Sequence, residues 1–208
     1  MKLNKTFRTI SQILFLAIFV FLLIIGKNML WMALFAIGVL VSIFFGRFYC
    51  GWVCQMGTLL RGMSYIKKKL RIPQIKTPGF FKQKWLRFVF FALFLGFIIL
   101  MQKNGLQLFA VLIITGLSIV VSLFFHESLW HNVFCPYGSL LSLTSRFAFL
   151  KVKINEEKCI SCGKCERVCP SETILIKENK KRQIDTIDCL ICGKCMEACP
   201  IKVIDYKK

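Results

Sequence analysis

Eleven of the 208 residues are cysteine, and eight of these fall into two copies of one pattern. The stretches "CISCGKCERVCP" (159–170) and "CLICGKCMEACP" (189–200) each read C-x2-C-x2-C-x3-C-P. Three cysteines at this spacing aim their thiolates into one tight loop and hold three corners of a cubane. The fourth, followed by Pro, lies too far along to close the same cube and ligates the other one. The spacing therefore predicts one 4Fe–4S cluster on Cys159, Cys162, Cys165 and Cys199, and a second on Cys189, Cys192, Cys195 and Cys169. Gly163 and Gly193 stand between the second and third ligands, where the backbone must come close to the cluster sulfides. Zinc ribbons use two C-x2-C pairs rather than a doubled triplet. A disulfide framework fits badly with so regular a spacing and an odd total. Thiolates kept free for iron point to a reducing compartment.

Three cysteines lie outside this pattern: Cys50, Cys54 and Cys135. They sit in an internal repeat, because Cys54-Gln-Met-Gly-Thr-Leu-Leu aligns without a gap on Cys135-Pro-Tyr-Gly-Ser-Leu-Leu. The same register places Cys50 opposite His131. Three thiolates and an imidazole make a candidate ligand set for a third redox centre near the membrane, iron–sulfur or other. Two competing readings stand beside it: a thiol pair doing redox exchange, and small buried hydrophobes. His126 and His131, with Glu127 between them, are candidates to bind a quinone headgroup or accept its proton. Interfacial side chains meeting lipid headgroups account equally well for His126 and Glu127.

The elements that carry these motifs are of two kinds. Four apolar runs, Ile10–Ile25, Met29–Phe45, Trp85–Met101 and Leu106–Phe125, are each close to the roughly 20 residues that cross a hydrocarbon core of about 30 Å. A 56% hydrophobic composition reflects these runs. The net charge of +19 is equally uneven: residues 151–208 carry 13 Lys+Arg and 9 Asp+Glu, and residues 1–150 carry 16 Lys+Arg with Glu127 as the sole acid. Bases that flank apolar runs follow the positive-inside pattern and argue against nucleic acid as a partner. The basic start (Lys2, Lys5, Arg8) and the loop Arg47–Lys84, which holds nine bases, put both termini and the cysteine-rich segment in the cytoplasm. Within that loop, 64–85 mixes bases with Ile, Tyr and Phe, which suits a segment lying on anionic lipid and equally a solvated charge run that only sets topology. The expected architecture is an α-helical membrane domain over 1–150, four spans in a parallel two-fold repeat, followed by a small α+β ferredoxin-like domain over 151–208.

Residues 150–208 resemble the bacterial-type two-cluster ferredoxins, which implies pseudo-twofold symmetry and one-electron transfer. With "YCGWVCQMG" and "VFCPYGSLL" added, nearly the whole chain resembles the NapH-type membrane ferredoxins, a group that also includes the carboxy-terminal parts of NosR- and CcoG-like proteins. Gln55 stands where that family has Pro, and His131 where it has the first Cys of the second motif. The resemblance implies electron transfer between a quinol pool or cytoplasmic donors and a redox partner protein at the cytoplasmic membrane. No catalytic triad, phosphate loop or acid–base pair accompanies the cysteines, so an electron-transfer subunit is expected rather than a stand-alone enzyme. The alternative is a metallocentre maturation factor that reduces a metal or a disulfide, favoured if Cys50, Cys54 and Cys135 are exposed and reactive.

Overall fold

The computed structural model describes residues 5–72, 75, 77–83 and 85–207. Lys2, Lys76 and Lys84, three of the bases used to orient the chain, lie outside them. The chain forms two compact units, Met1–Gln55 with Leu140–Lys208, and Met56–Ser139. Along the chain come α1 (Lys5–Ile25), α2 (Asn28–Phe45), α3 (Phe48–Trp52), α4 (Gln55–Lys69), a 3-10 turn (Gly79–Lys82), α5 (Leu86–Lys103) and α6 (Gln107–Phe124). A single turn, α7 (Glu127–Leu129), runs into a π turn (Trp130–Phe134) and then α8 (Pro136–Ser145). The remainder is β1 (Lys151–Ile154), α9 (Lys164–Arg167), β2 (Ile174–Ile176), β3 (Arg182–Ile184), α10 (Lys194–Ala198) and β4 (Ile204–Lys207).

All four apolar runs are helical. Two of the helices, α1 and α5, are long and apolar enough to cross a membrane by length and composition, and Leu30–Phe45 and Phe109–Phe124 are shorter apolar stretches. The polarity of α1 runs opposite to that of a helix in water. The residues that α1 buries are Arg8 and Gln12, while Phe7, Ile10, Ile13, Leu14, Phe21 and Ile24 stand exposed. Ser42 of α2 and Ser118 and Ser122 of α6 are buried too, with Leu40, Phe44, Leu112 and Leu117 exposed on the same helices. Gly46 stops α2: its φ of 70° is open to glycine, and a Cβ there would lie 2.7 Å from Ile191 Cδ1.

In the first unit β1 pairs antiparallel with β4, Val152 opposite Tyr206, and β2 with β3, Ile174 opposite Ile184. Alternation puts Val152, Ile174, Ile184, Ile204 and Tyr206 into one core. That core also takes in Trp52 from α3 and Ile191 from the second cysteine loop. The second unit has its own apolar clusters, one around Leu60, Trp130 and Cys135 and another around Leu86, Leu129 and Val133.

Candidate metal centres

The two cysteine loops are backbone copies of each other. Left-handed residues recur thirty positions apart: Ser161 with Ile191 (φ 58° and 50°), Gly163 with Gly193 (70° and 73°), and Glu172 with Lys202 (both 50°). A β-branched residue tolerates this conformation poorly, so Ile191 holds it only because its surroundings fix it. Gly163 and Gly193 then cap the short helices α9 and α10, each of which carries the third cysteine of its triplet.

These turns bring the eight cysteines round two cavities. One is lined by Cys159, Cys162, Cys165 and Cys199, the other by Cys169, Cys189, Cys192 and Cys195. Each triplet is thus joined by the Cys-Pro cysteine of the other copy. Four thiols facing a small apolar-walled space are a donor set suited to a 4Fe–4S cluster. Among the described residues, no three His, Cys, Asp or Glu side chains gather to hold a single metal ion.

The two sets differ electrostatically. Burial opposes the Cys159 thiolate, but the backbone amides of Arg182 and Ser161 and the charges of Arg182 and Lys181 outweigh it and hold that thiol below its ordinary value. Burial raises Cys165, and the neighbouring Cys159 and Cys162 add to the shift. In the other set burial pushes Cys189 up to about 12, against the backbone amide of Ile191 and the charge of Arg47, and lifts Cys195 well above the usual thiol value. Without a metal these buried thiols hold their protons, so loading the second set releases protons that the fold has retained.

The second loop is also fastened to the helices that precede the cysteine-rich segment. Arg47, with no exposed surface, lies 3.3 Å from Asp188 Oδ1 and donates to the Asp188 carbonyl at 3.4 Å. Trp52 Nε1 donates to the Ile191 carbonyl at 3.1 Å, and the Arg8 guanidinium donates to the Cys192 carbonyl and lies 3.7 Å from Glu197 Oε1. Gln12 donates to the Gly51 carbonyl at 2.6 Å, and Tyr206 to the Phe45 carbonyl at 2.8 Å. A Cβ on Gly51 would land on the Leu190 carbonyl oxygen. From sequence alone Arg8 and Arg47 read as bases that set membrane orientation, and Trp52 and Asp188 carry no signal of a role.

Cys50 lies within α3, and Cys54 in the break between α3 and α4, both buried. His131 is buried in the π turn, and Cys135 is buried at the break before α8, in the other compact unit. The repeat extends to the backbone: Cys54 N–H donates to the Tyr49 carbonyl (3.0 Å) and Cys135 N–H to the Trp130 carbonyl (2.8 Å), five residues back in each case. Cys135 Sγ accepts the Gly138 N–H at 3.4 Å. His126 caps α7, its Nδ1 accepting the Ser128 N–H. Glu127, which the sequence reads either as part of a quinone site or as an interfacial acid, is buried. Burial lowers the Lys67 ammonium, and the charge of Glu127 works in the opposite direction.

Comparison with known proteins follows the same division. A 4Fe-4S binding domain model matches residues 28–73 and 107–155, and a 4Fe-4S dicluster domain model matches residues 151–200. The protein MJ0749 of Methanocaldococcus jannaschii is 32% identical over 143 residues, 65% of this chain and 56% of that one. YccM of Escherichia coli, named as an electron transport protein, is 27% identical over 179 residues, covering 72% and 48%. The ferredoxin-type protein NapH of Haemophilus influenzae is 24% identical over 164 residues, covering 69% and 56%. The chain spans about half the length of each of these three relatives. No solved structure matches it. With the dicluster match lying over both cysteine cavities, the protein carries two 4Fe–4S clusters, and the chain belongs to the NapH-type family of 4Fe–4S ferredoxins.

Proposed function

We propose that this chain is an iron–sulfur electron relay at the cytoplasmic membrane, passing electrons between a cytoplasmic or quinol donor and a membrane-bound redox partner. The observation that carries this reading is the pair of cavities, each lined by three cysteines of one copy and the fourth of the other. On it, Cys159, Cys162, Cys165 and Cys199 hold one cluster and Cys189, Cys192, Cys195 and Cys169 hold the second. Each bound cluster takes up and gives back one electron. The fold supplies the thiolates, the backbone amides of the left-handed turns, and the apolar walls of Ile174, Ile184, Leu190 and Ile204 that keep water away.

The same reading makes all four long helices membrane spans, arranged as a parallel two-fold repeat with both termini in the cytoplasm. Apolar side chains on the outside and Arg8, Gln12 and buried serines on the inside support it, since a helix in lipid turns its polar groups inward. One domain model matching 28–73 and again 107–155 supports the repeat, as do the matching hydrogen bonds at Cys54 and Cys135. Cys50 and Cys54, and separately His131 and Cys135, stay the candidate ligands of a further membrane-proximal redox centre in this scheme. Their burial speaks for ligation or packing over the open, reactive thiols that a maturation factor would use. Clusters on one side cannot cover a core of about 30 Å, so a quinone or a partner's cofactors complete any transfer across it.

Iron and acid-labile sulfide on anaerobically purified protein, beside a Cys50→Ser/Cys54→Ser/Cys135→Ser variant, test the scheme. Roughly eight irons in both would mean the two clusters alone. More iron in the parent, falling to roughly eight in the variant, establishes the third centre. Fewer than about eight in the parent would overturn the two ligand sets.

A further inference from the structure

The two cysteine loops share a backbone but invert their charge at two matched positions. Thirty residues apart, Lys158 corresponds to Asp188 and Arg167 to Glu197. In the second copy both acids face arginines of the preceding helical segment, Asp188 toward Arg47 and Glu197 toward Arg8. The apolar residue after the first cysteine follows the same split: Leu190 is 1% exposed, whereas Ile160 is 59% exposed. Cys192 is buried and Cys162 is exposed. The second loop is therefore an occupied docking face, with an apolar centre, acidic flanks and a basic partner already in place. The first loop is the same face with the charge at those two positions reversed and its apolar centre open.

From this inversion, and resting on the relay reading above, we infer that the first cysteine loop is the docking site for a small acidic one-electron carrier protein. Ile160, Ile201 and the exposed Cys162 form its apolar centre. Lys158, Lys164, Arg167 and Lys202 are exposed around it, and Lys181 and Arg182 add charge close enough to act on Cys159. Nearby acids are partly spoken for: Glu156 pairs with Lys177 at 2.8 Å and Glu166 with Arg182 at 3.6 Å. Arg182, Arg167 and Lys181 also donate to the carbonyls of Ser161 (3.0 Å), Cys162 (3.5 Å) and Glu157 (3.0 Å), which fixes positive charge along the loop itself. An apolar centre inside a basic rim suits brief, electrostatically steered encounters with an acidic partner. One electron moves between the docked carrier and the protein, one oxidised as the other is reduced, with no bond made or broken. The second loop, its face already covered, is the inner station.

The test uses full-length, cluster-loaded protein held in amphipol, with a flavodoxin as the acidic probe and a cytochrome c as the basic one. Binding is read by biolayer interferometry at low and high salt. Lys158→Glu/Lys164→Glu leaves the Arg167 and Arg182 contacts alone, and Lys158→Glu/Lys202→Glu is a second variant should the first lose iron. The parent should bind flavodoxin more tightly than cytochrome c, with affinity that weakens as salt rises. Charge reversal should weaken flavodoxin at least about tenfold and flatten the salt dependence. Flavodoxin binding that charge reversal leaves unchanged, or a parent that prefers cytochrome c, overturns the inference. So does a variant that keeps flavodoxin but loses adsorption to phosphatidylglycerol vesicles, which would make the rim a lipid contact. A parent that loads no clusters, or whose clusters dithionite does not reduce, sinks the relay reading instead, whatever the binding shows.

Discussion

Removing Arg47 tests whether the second cluster loop depends on the helices beneath it. Arg47 is fully buried, and its guanidinium lies 3.3 Å from an Asp188 carboxylate that is itself 9% exposed. At an effective dielectric of about 20, that 3.3 Å separation corresponds to an attraction of about 5 kcal/mol, with much of it offset by the loss of hydration of both groups. The pair as a whole therefore contributes little net stability, but breaking it is costly. Arg47→Met leaves a buried carboxylate with its cation gone, a change worth about 3–5 kcal/mol. If Asp188 relieves part of this by turning toward water, about 3 kcal/mol remains, a factor of roughly 100 in local opening. Hydrogen exchange by mass spectrometry on the loaded protein should show amides 187–192 losing protection by about that factor, with those of β2 and β3 much less affected. Arg47→Met/Asp188→Asn should recover at least half the loss, since no uncompensated charge is left. Arg47→Lys should fall between, keeping the charge without the planar fork. A loss of protection under about threefold in Arg47→Met, or a double variant as open as the single one, would refute the argument.

Three further outcomes follow from the same geometry. Gly51→Ala puts a methyl on the Leu190 carbonyl and should loosen amides 187–192 by about 1–3 kcal/mol. Gly62→Ala, with nothing within 4 Å, is the matched control in hydrogen exchange and should leave them alone. Cys199→Ser should cost the cluster of the other triplet: iron falls from about eight to about four per chain, and a further Cys159→Ser takes nothing more. If Cys189→Ser is the change that adds nothing to Cys199→Ser, the crossed ligand sets are wrong. Chelation of oxidised protein should be biphasic, about four irons leaving first, because Cys162 is exposed whereas Cys192 and Cys195 are buried. Alkylation of the freed thiols after the fast phase should mark Cys162 before Cys192, and the reverse order would contradict the assigned burial.

What the sequence made readable is what is local. A cysteine triplet closes over seven residues and its Cys-Pro partner is fixed by the same motif, so the two cavities follow from spacing alone. The apolar runs are local as well, and each is helical where the run is apolar. The pairing of Arg47 with Asp188 spans 141 residues and that of Arg8 with Cys192 spans 184, and no window along the chain holds both ends. Bases at the edges of apolar runs have a sufficient explanation in membrane orientation. Nothing in their neighbourhood hints that the fold would bury them against a cluster loop. The electrostatic coupling of Glu127 to Lys67 is equally remote, sixty residues along the chain. A signal did exist, in the comparison of the two copies with each other. Cysteine ligation constrains both loops alike, so where they differ at matched positions the difference reflects what each loop faces. Asp188 against Lys158 and Leu190 against Ile160 say that one copy meets a basic, apolar surface and the other does not. Symmetry of the cluster chemistry thus turns each asymmetric residue into a statement about its partner, and the arginines of α1 and of the turn after α2 are the partner that the second copy was built to meet.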